Sequence, residues 1–89
     1  MSRILVVDDD RELRDNIVEI LTDAGYEIQS SDNAESALEV LDSKEFDLII
    51  MDLIMPGMGG LAVLPLARQK CPNARIIVIT AFSTVDNAV

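Results

Sequence analysis

Three carboxylates and a hydroxyl stand where apolar runs stop abruptly. Asp8 and Asp9 follow Ile4-Leu5-Val6-Val7, Asp52 follows Leu48-Ile49-Ile50-Met51, and Thr80 follows Ile76-Ile77-Val78-Ile79. Like charges gathered at one spot repel, and partial burial strengthens the repulsion. A divalent cation relieves it, and carboxylate oxygens suit Mg²⁺, which typically takes one or two of them and keeps waters for phosphate oxygens to displace. A carboxylate can also attack a phosphoryl group and become an aspartyl phosphate. On this reading Asp52 is the nucleophile, Asp8 and Asp9 hold the metal, and Thr80 donates its hydroxyl to a phosphoryl oxygen.

Parallel strands are the elements that bring such residues together. Short continuous Val/Ile-rich runs read as strands buried on both faces of a parallel sheet. Their ends share one edge, where open α/β sheets bind ligands. Asp10 has a simpler role, capping the helix that follows. That helix carries Leu13, Ile17, Ile20, Leu21 and Ala24 on one face, with Arg11, Glu12, Arg14, Asp15 and Glu19 mostly elsewhere, and Gly25 stops it. Tyr26 to Ser30 alternates like an edge strand. Asp32 and Glu35 have capping-box spacing ahead of a second helix with the stripe Ala34, Ala37, Leu38 and Leu41. A third helix is predicted from about Gly60 to Lys70, with a kink near Pro65 or a late start, and a fourth begins after Ser83.

The chain has 89 residues, 49% of them hydrophobic, enough for one domain over 1–89 with a single modest core. A formal charge of −9 with scattered Lys and Arg argues against direct nucleic-acid binding. No apolar run is long enough to cross a bilayer and the N-terminus shows no signal-peptide pattern, so a cytoplasmic location is expected. Cys71 is the only cysteine and the chain has no His, which leaves zinc without a ligand set. Cys71 reads as a small apolar residue near a helix end.

The residues 4–10 (Ile-Leu-Val-Val-Asp-Asp-Asp), 47–60 (Asp-Leu-Ile-Ile-Met-Asp-Leu-Ile-Met-Pro-Gly-Met-Gly-Gly) and 76–81 (Ile-Ile-Val-Ile-Thr-Ala) resemble the receiver domain of bacterial two-component response regulators. From Gly60 to Val89 the chain looks most like receivers of the nitrogen-regulatory, enhancer-binding type. The resemblance implies an α/β, flavodoxin-like three-layer fold with a parallel sheet of order 2-1-3-4, a fifth strand following in complete receivers. It also implies phosphoryl transfer to Asp52 from a histidine kinase or histidine phosphotransfer protein, a signalling role rather than that of a turnover enzyme. Asp9 would bind Mg²⁺ directly, Asp8 through water, and the Ile54 carbonyl would supply another ligand. Thr80 would be the switch hydroxyl, with Ala81 the small neighbour that lets it approach.

Two departures from the family pattern stand out. Gly59 replaces a common Asp or Asn, and the sequence holds no counterpart of the fifth strand with its phosphoryl-contacting Lys. None of Arg3, Lys44, Lys70 or Arg75 occupies a matching position. The resemblance therefore implies a receiver truncated before its fifth strand. Self-association is expected through the exposed fourth strand or the fourth-helix segment, including by exchange of elements between chains. An alternative of another class is a phosphorylation-independent interaction or dimerisation module. A third, a haloacid-dehalogenase-type hydrolase read from Asp8-x-Asp10 and Thr80, lacks its downstream Lys and acidic pair, and Glu12 stands where that motif wants Thr or Val.

Overall fold

Four five-residue strands and three helices alternate along the chain in a computed structural model that describes residues 2–53, 55 and 60–79. Strand β1 spans Arg3–Val7, α1 Arg11–Asp23, β2 Glu27–Ser31, α2 Ala34–Ser43, β3 Leu48–Asp52, α3 Gly60–Lys70 and β4 Arg75–Ile79. The strands pair in parallel in the order β2-β1-β3-β4, as expected. Registers Val7↔Met51 and Met51↔Val78 align the strand ends, so β1 and β3 deliver Asp8 and Asp52 to the same edge.

The main core lies on one face of the sheet. Leu5, Val7, Ile49 and Met51 point there and meet Ala34, Ala37 and Leu41 of α2 and Val63 and Ala67 of α3. Phe46, Met55 and Cys71 close its margins, and Cys71 is buried directly after the last residue of α3. Lys70 pairs with Asp42 across the two helices. Helix α3 starts at Gly60, so Pro65 does not delay it; the proline ring lies on the exposed side.

The opposite face is thinly covered. Helix α1 lies over β1 and β2, burying Ile4 and Val6, yet none of its own residues is buried. The stripe expected to face the core leaves Leu13 41% and Ile20 66% exposed. Only α1 covers this face among the described residues, so its strong apolar side meets no lateral neighbour among them. The fourth strand departs in the same way from the doubly buried reading of its apolar run. Ile77, 49% exposed, and Val78, 37% exposed, point to opposite faces of a strand that pairs with β3 alone among the described residues.

Local signals were partly legible. Asp10 caps α1, accepting from the Leu13 N–H at 3.2 Å. Gly25 follows α1 with φ of 97°, the left-handed geometry that ends helices at glycine. Helix α2 departs from the expected Asp32–Glu35 capping box: its cap is Asn33, whose Oδ1 accepts from Ser36 N–H at 2.7 Å, while Asp32 accepts from the Asn33 side chain. Asn caps as well as Asp, and one residue of register decides which side chain reaches the free N–H groups. No described helix is long and apolar enough to cross a membrane.

Candidate metal and phosphoacceptor site

At the C-terminal sheet edge, Asp8 continues the β1 line, its N–H donating to Ser31 O of β2 at 3.1 Å. Its Oδ1 accepts from the Asp10 N–H at 2.9 Å, which turns the chain sharply into α1. Asp52 is the last residue of β3, the neighbouring strand. Asp8, Asp9 and Asp52 each bring a carboxylate oxygen into one group, all three within 4.8 Å of one another. Asp8 is 1% exposed and Asp52 9%, while Asp9 opens to solvent.

This is an electrostatically unfavourable arrangement for the bare protein. Burial pushes the Asp8 carboxyl above its ordinary value. The Asp10 N–H pulls it back in part, while the Asp52 carboxylate, through its charge and through a hydrogen bond to the protonated Asp8 carboxyl, and the charge of Asp9 push it further up. Asp8 Oδ2 is buried with no hydrogen-bond partner among the described residues. Natural proteins rarely leave such an atom unpaired, because its desolvation is uncompensated. A hard divalent cation fits this donor set: three carboxylates, one with an unsatisfied buried oxygen, at spacings that one ion can span.

Of the residues singled out from sequence, Asp8, Asp9 and Asp52 are thus brought together, and Asp10 is a cap as read. Ile54, Thr80 and Ala81 lie outside the described residues, as does the fourth helix expected after Ser83. The Leu53 N–H donates to Ile79 O at 3.0 Å, which carries the β3–β4 ladder to the residue before Thr80. Sequence reasoning missed Arg14, assigned there to the polar side of α1. It is half-buried, and its Nη1 donates to Asp8 O at 2.9 Å. The available signal was its position four residues after the cap, which returns it over the loop holding the acids.

A parallel α/β sheet with an acidic, metal-competent edge defines a class, and comparison with known proteins places the chain within it. The response regulator receiver domain family matches residues 4–89, and the chain belongs to that family. It is 41% identical over 88 residues to the response regulator FleR of Pseudomonas aeruginosa, covering 99% of this chain and 19% of FleR. To the DNA-binding transcriptional regulator NtrC of Escherichia coli it is 40% identical over 86 residues, 97% of this chain and 18% of NtrC. The chain therefore spans about a fifth of the length of these two relatives.

Among solved structures, the response regulator TrrA of Thermotoga maritima in complex with Mg²⁺-BeF is 43% identical with a TM-score of 0.86, covering 100% of this chain and 77% of TrrA. TrrA in complex with the histidine kinase ThkA matches at 46% identity and a TM-score of 0.84, over 93% of this chain and 72% of the other.

Proposed function

We propose that this receiver accepts a phosphoryl group on Asp52 from the phosphohistidine of a histidine kinase or histidine phosphotransfer protein, with Mg²⁺ held by the acidic corner. The observation that carries the reading is the convergence of Asp8, Asp9 and Asp52 around a buried, unpartnered carboxylate oxygen. The TrrA complexes, one with Mg²⁺-BeF and one with a histidine kinase, support the metal and the partner by similarity.

In the proposed transfer an Asp52 oxygen attacks phosphorus. An O–P bond forms as the P–N bond to the donor imidazole breaks, and the ring nitrogen leaves with the electron pair and takes up a proton. Asp9 would hold Mg²⁺ directly and Asp8 through water, with Asp52 and the Ile54 carbonyl as the further protein ligands that the family resemblance implies. When bound, the ion neutralises charge on the phosphoryl oxygens. Thr80 would donate its hydroxyl to one of those oxygens, and the small Ala81 would leave room for the approach. Water attack on phosphorus breaks the Asp52 O–P bond, releases inorganic phosphate and restores the carboxylate, so the domain catalyses at most its own phosphorylation and dephosphorylation. The reading places the chain in the cytoplasm, with no direct nucleic-acid or membrane contact.

Incubation with a small phosphodonor such as phosphoramidate, followed by intact mass, tests this. A gain of one phosphoryl group with Mg²⁺ and none with a chelator is expected; no gain with Mg²⁺ present overturns the reading.

The β4 edge left without a strand partner among the described residues favours a second, compatible activity: self-association. Ile77 and Val78 are exposed on a strand paired on one side among the described residues, and such edges template pairing with another chain. A dimer should appear by light scattering, and Ile77→Lys should shift it toward monomer by about tenfold in dissociation constant. A wild-type monomer at the same concentration would remove this activity from the account.

A further inference from the structure

The guanidinium of Arg14 stands beside the acidic corner yet spends its described hydrogen bond on a main-chain oxygen. In a chain with 16 Asp and Glu residues, Nη1 donates to Asp8 O at 2.9 Å, and Arg14 makes no ion pair among the described residues. Its own N–H donates to Asp10 O at 2.9 Å, so the residue is fixed at both ends to the β1–α1 turn. The Asp8 N–H is already held by Ser31 O of β2. The Asp8–Asp9 peptide unit begins at the carbonyl that Arg14 grips.

That grip matters most for Asp9. Asp8 is anchored by burial and by the Asp10 N–H at its Oδ1. No described hydrogen bond reaches the exposed Asp9 carboxylate, so the peptide before it sets the point and direction from which its side chain reaches the corner. A planar, always-charged donor pinned by a helix turn fixes that plane better than water would.

We infer that Arg14 is a positioning residue which holds the Asp8–Asp9 peptide and thereby sets the site's preference for a small octahedral cation over a larger one. The inference rests on the metal-binding reading above. Mg²⁺ demands near-ideal octahedral geometry at short distances, whereas Ca²⁺ accepts irregular shells at longer ones. A corner free to spread therefore loses more Mg²⁺ affinity than Ca²⁺ affinity. Both ions carry the same charge, so removing a nearby cation shifts both alike. The ratio of the two dissociation constants thus isolates geometry from Coulomb attraction and from general stability.

Isothermal titration calorimetry with each ion alone, on the wild-type chain, Arg14→Met and Arg14→Lys, tests this directly. Arg14→Met keeps an apolar stem and loses the donor, and should lower the Mg²⁺-over-Ca²⁺ preference by about 5- to 10-fold. Arg14→Lys keeps the charge and a single flexible donor and should fall between the two. A preference within about twofold of wild type in Arg14→Met overturns the inference. Should Arg14→Met fail to fold, Arg14→Leu, which also removes the donor, decides by the same threshold. Wild-type protein that binds neither ion overturns the metal reading and this inference with it, whereas binding with an unchanged preference overturns the inference alone.

Discussion

Asp8→Asn is expected to stabilise the metal-free chain by about 2 kcal/mol at neutral pH while costing ~100-fold in Mg²⁺ affinity. The first effect follows from the orphaned Oδ2. Asparagine keeps an oxygen for the Asp10 N–H and can present an amide donor where a buried carboxylate oxygen now has no partner. Removing that charge also ends its repulsion with Asp52 and Asp9. The second effect follows because Asp8, reaching the ion through water, supplies a buried negative charge and a fixed acceptor beside it, and losing such an outer partner costs about 10- to 100-fold in metal affinity. In thermal melts the variant should gain roughly 8–15 °C without metal, at the 4–8 °C per kcal/mol usual for small domains. At ~100 times the wild-type Kd, Mg²⁺ adds about 2.7 kcal/mol to wild type and about 0.4 kcal/mol to the variant, so the metal-free gap of about 2 kcal/mol closes and wild type moves slightly ahead.

The same substitution carries a pH signature with a definite sign. The folded-state pKa of Asp8 lies above its ordinary 3.8, so the folded chain holds that proton to higher pH than the unfolded chain. Its penalty is absent below 3.8 and grows as pH rises through the interval up to the raised value; above that it is complete. The advantage of Asp8→Asn over metal-free wild type must therefore be largest at neutral pH and shrink as pH falls toward 3.8. A variant that melts lower than wild type at neutral pH without metal would contradict this account of the corner.

Asp52→Ala is expected to reduce phosphoryl incorporation by ~1000-fold or more, to the level of untreated protein, because no other group replaces a lost nucleophile. The expectation is specific to Asp52 rather than to acidity in general. It ends β3, which lies between β1 and β4, so the sheet delivers it to the middle of the edge while Asp8 and Asp9 approach from one side. Intact mass after phosphodonor treatment with Mg²⁺ reads the result. Continued incorporation in Asp52→Ala would move the nucleophile to Asp8 or Asp9.

Much of this arrangement is legible in the residues because parallel strands impose it. Four short segments alternating with helices allow few topologies, and connections in such sheets run one way. Once Val7 and Met51 are read as neighbouring strand ends, Asp8 and Asp52 have nowhere else to go. The Asn33 cap, by contrast, turned on one residue of register between two good capping side chains. Helix α1 misled for another reason. Its apolar periodicity shows which side seeks burial, but burial requires a neighbour, and the described structure supplies only the sheet beneath β1 and β2. The run at β4 likewise records an apolar strand without recording how many strands flank it.

The sequence by itself determined the acidic edge, since the ends of buried parallel strands and the residues that follow them are written consecutively in the chain. Tertiary structure alone decided how that edge is held. Burial of Asp8, the orphaned state of one of its oxygens and the reach of Arg14 to its carbonyl depend on how β2, β3 and α1 close around the turn. Periodicity reports which side of an element faces inward. It does not report the distance between two atoms that meet across a turn, and at this site that distance sets both the charge and the grip.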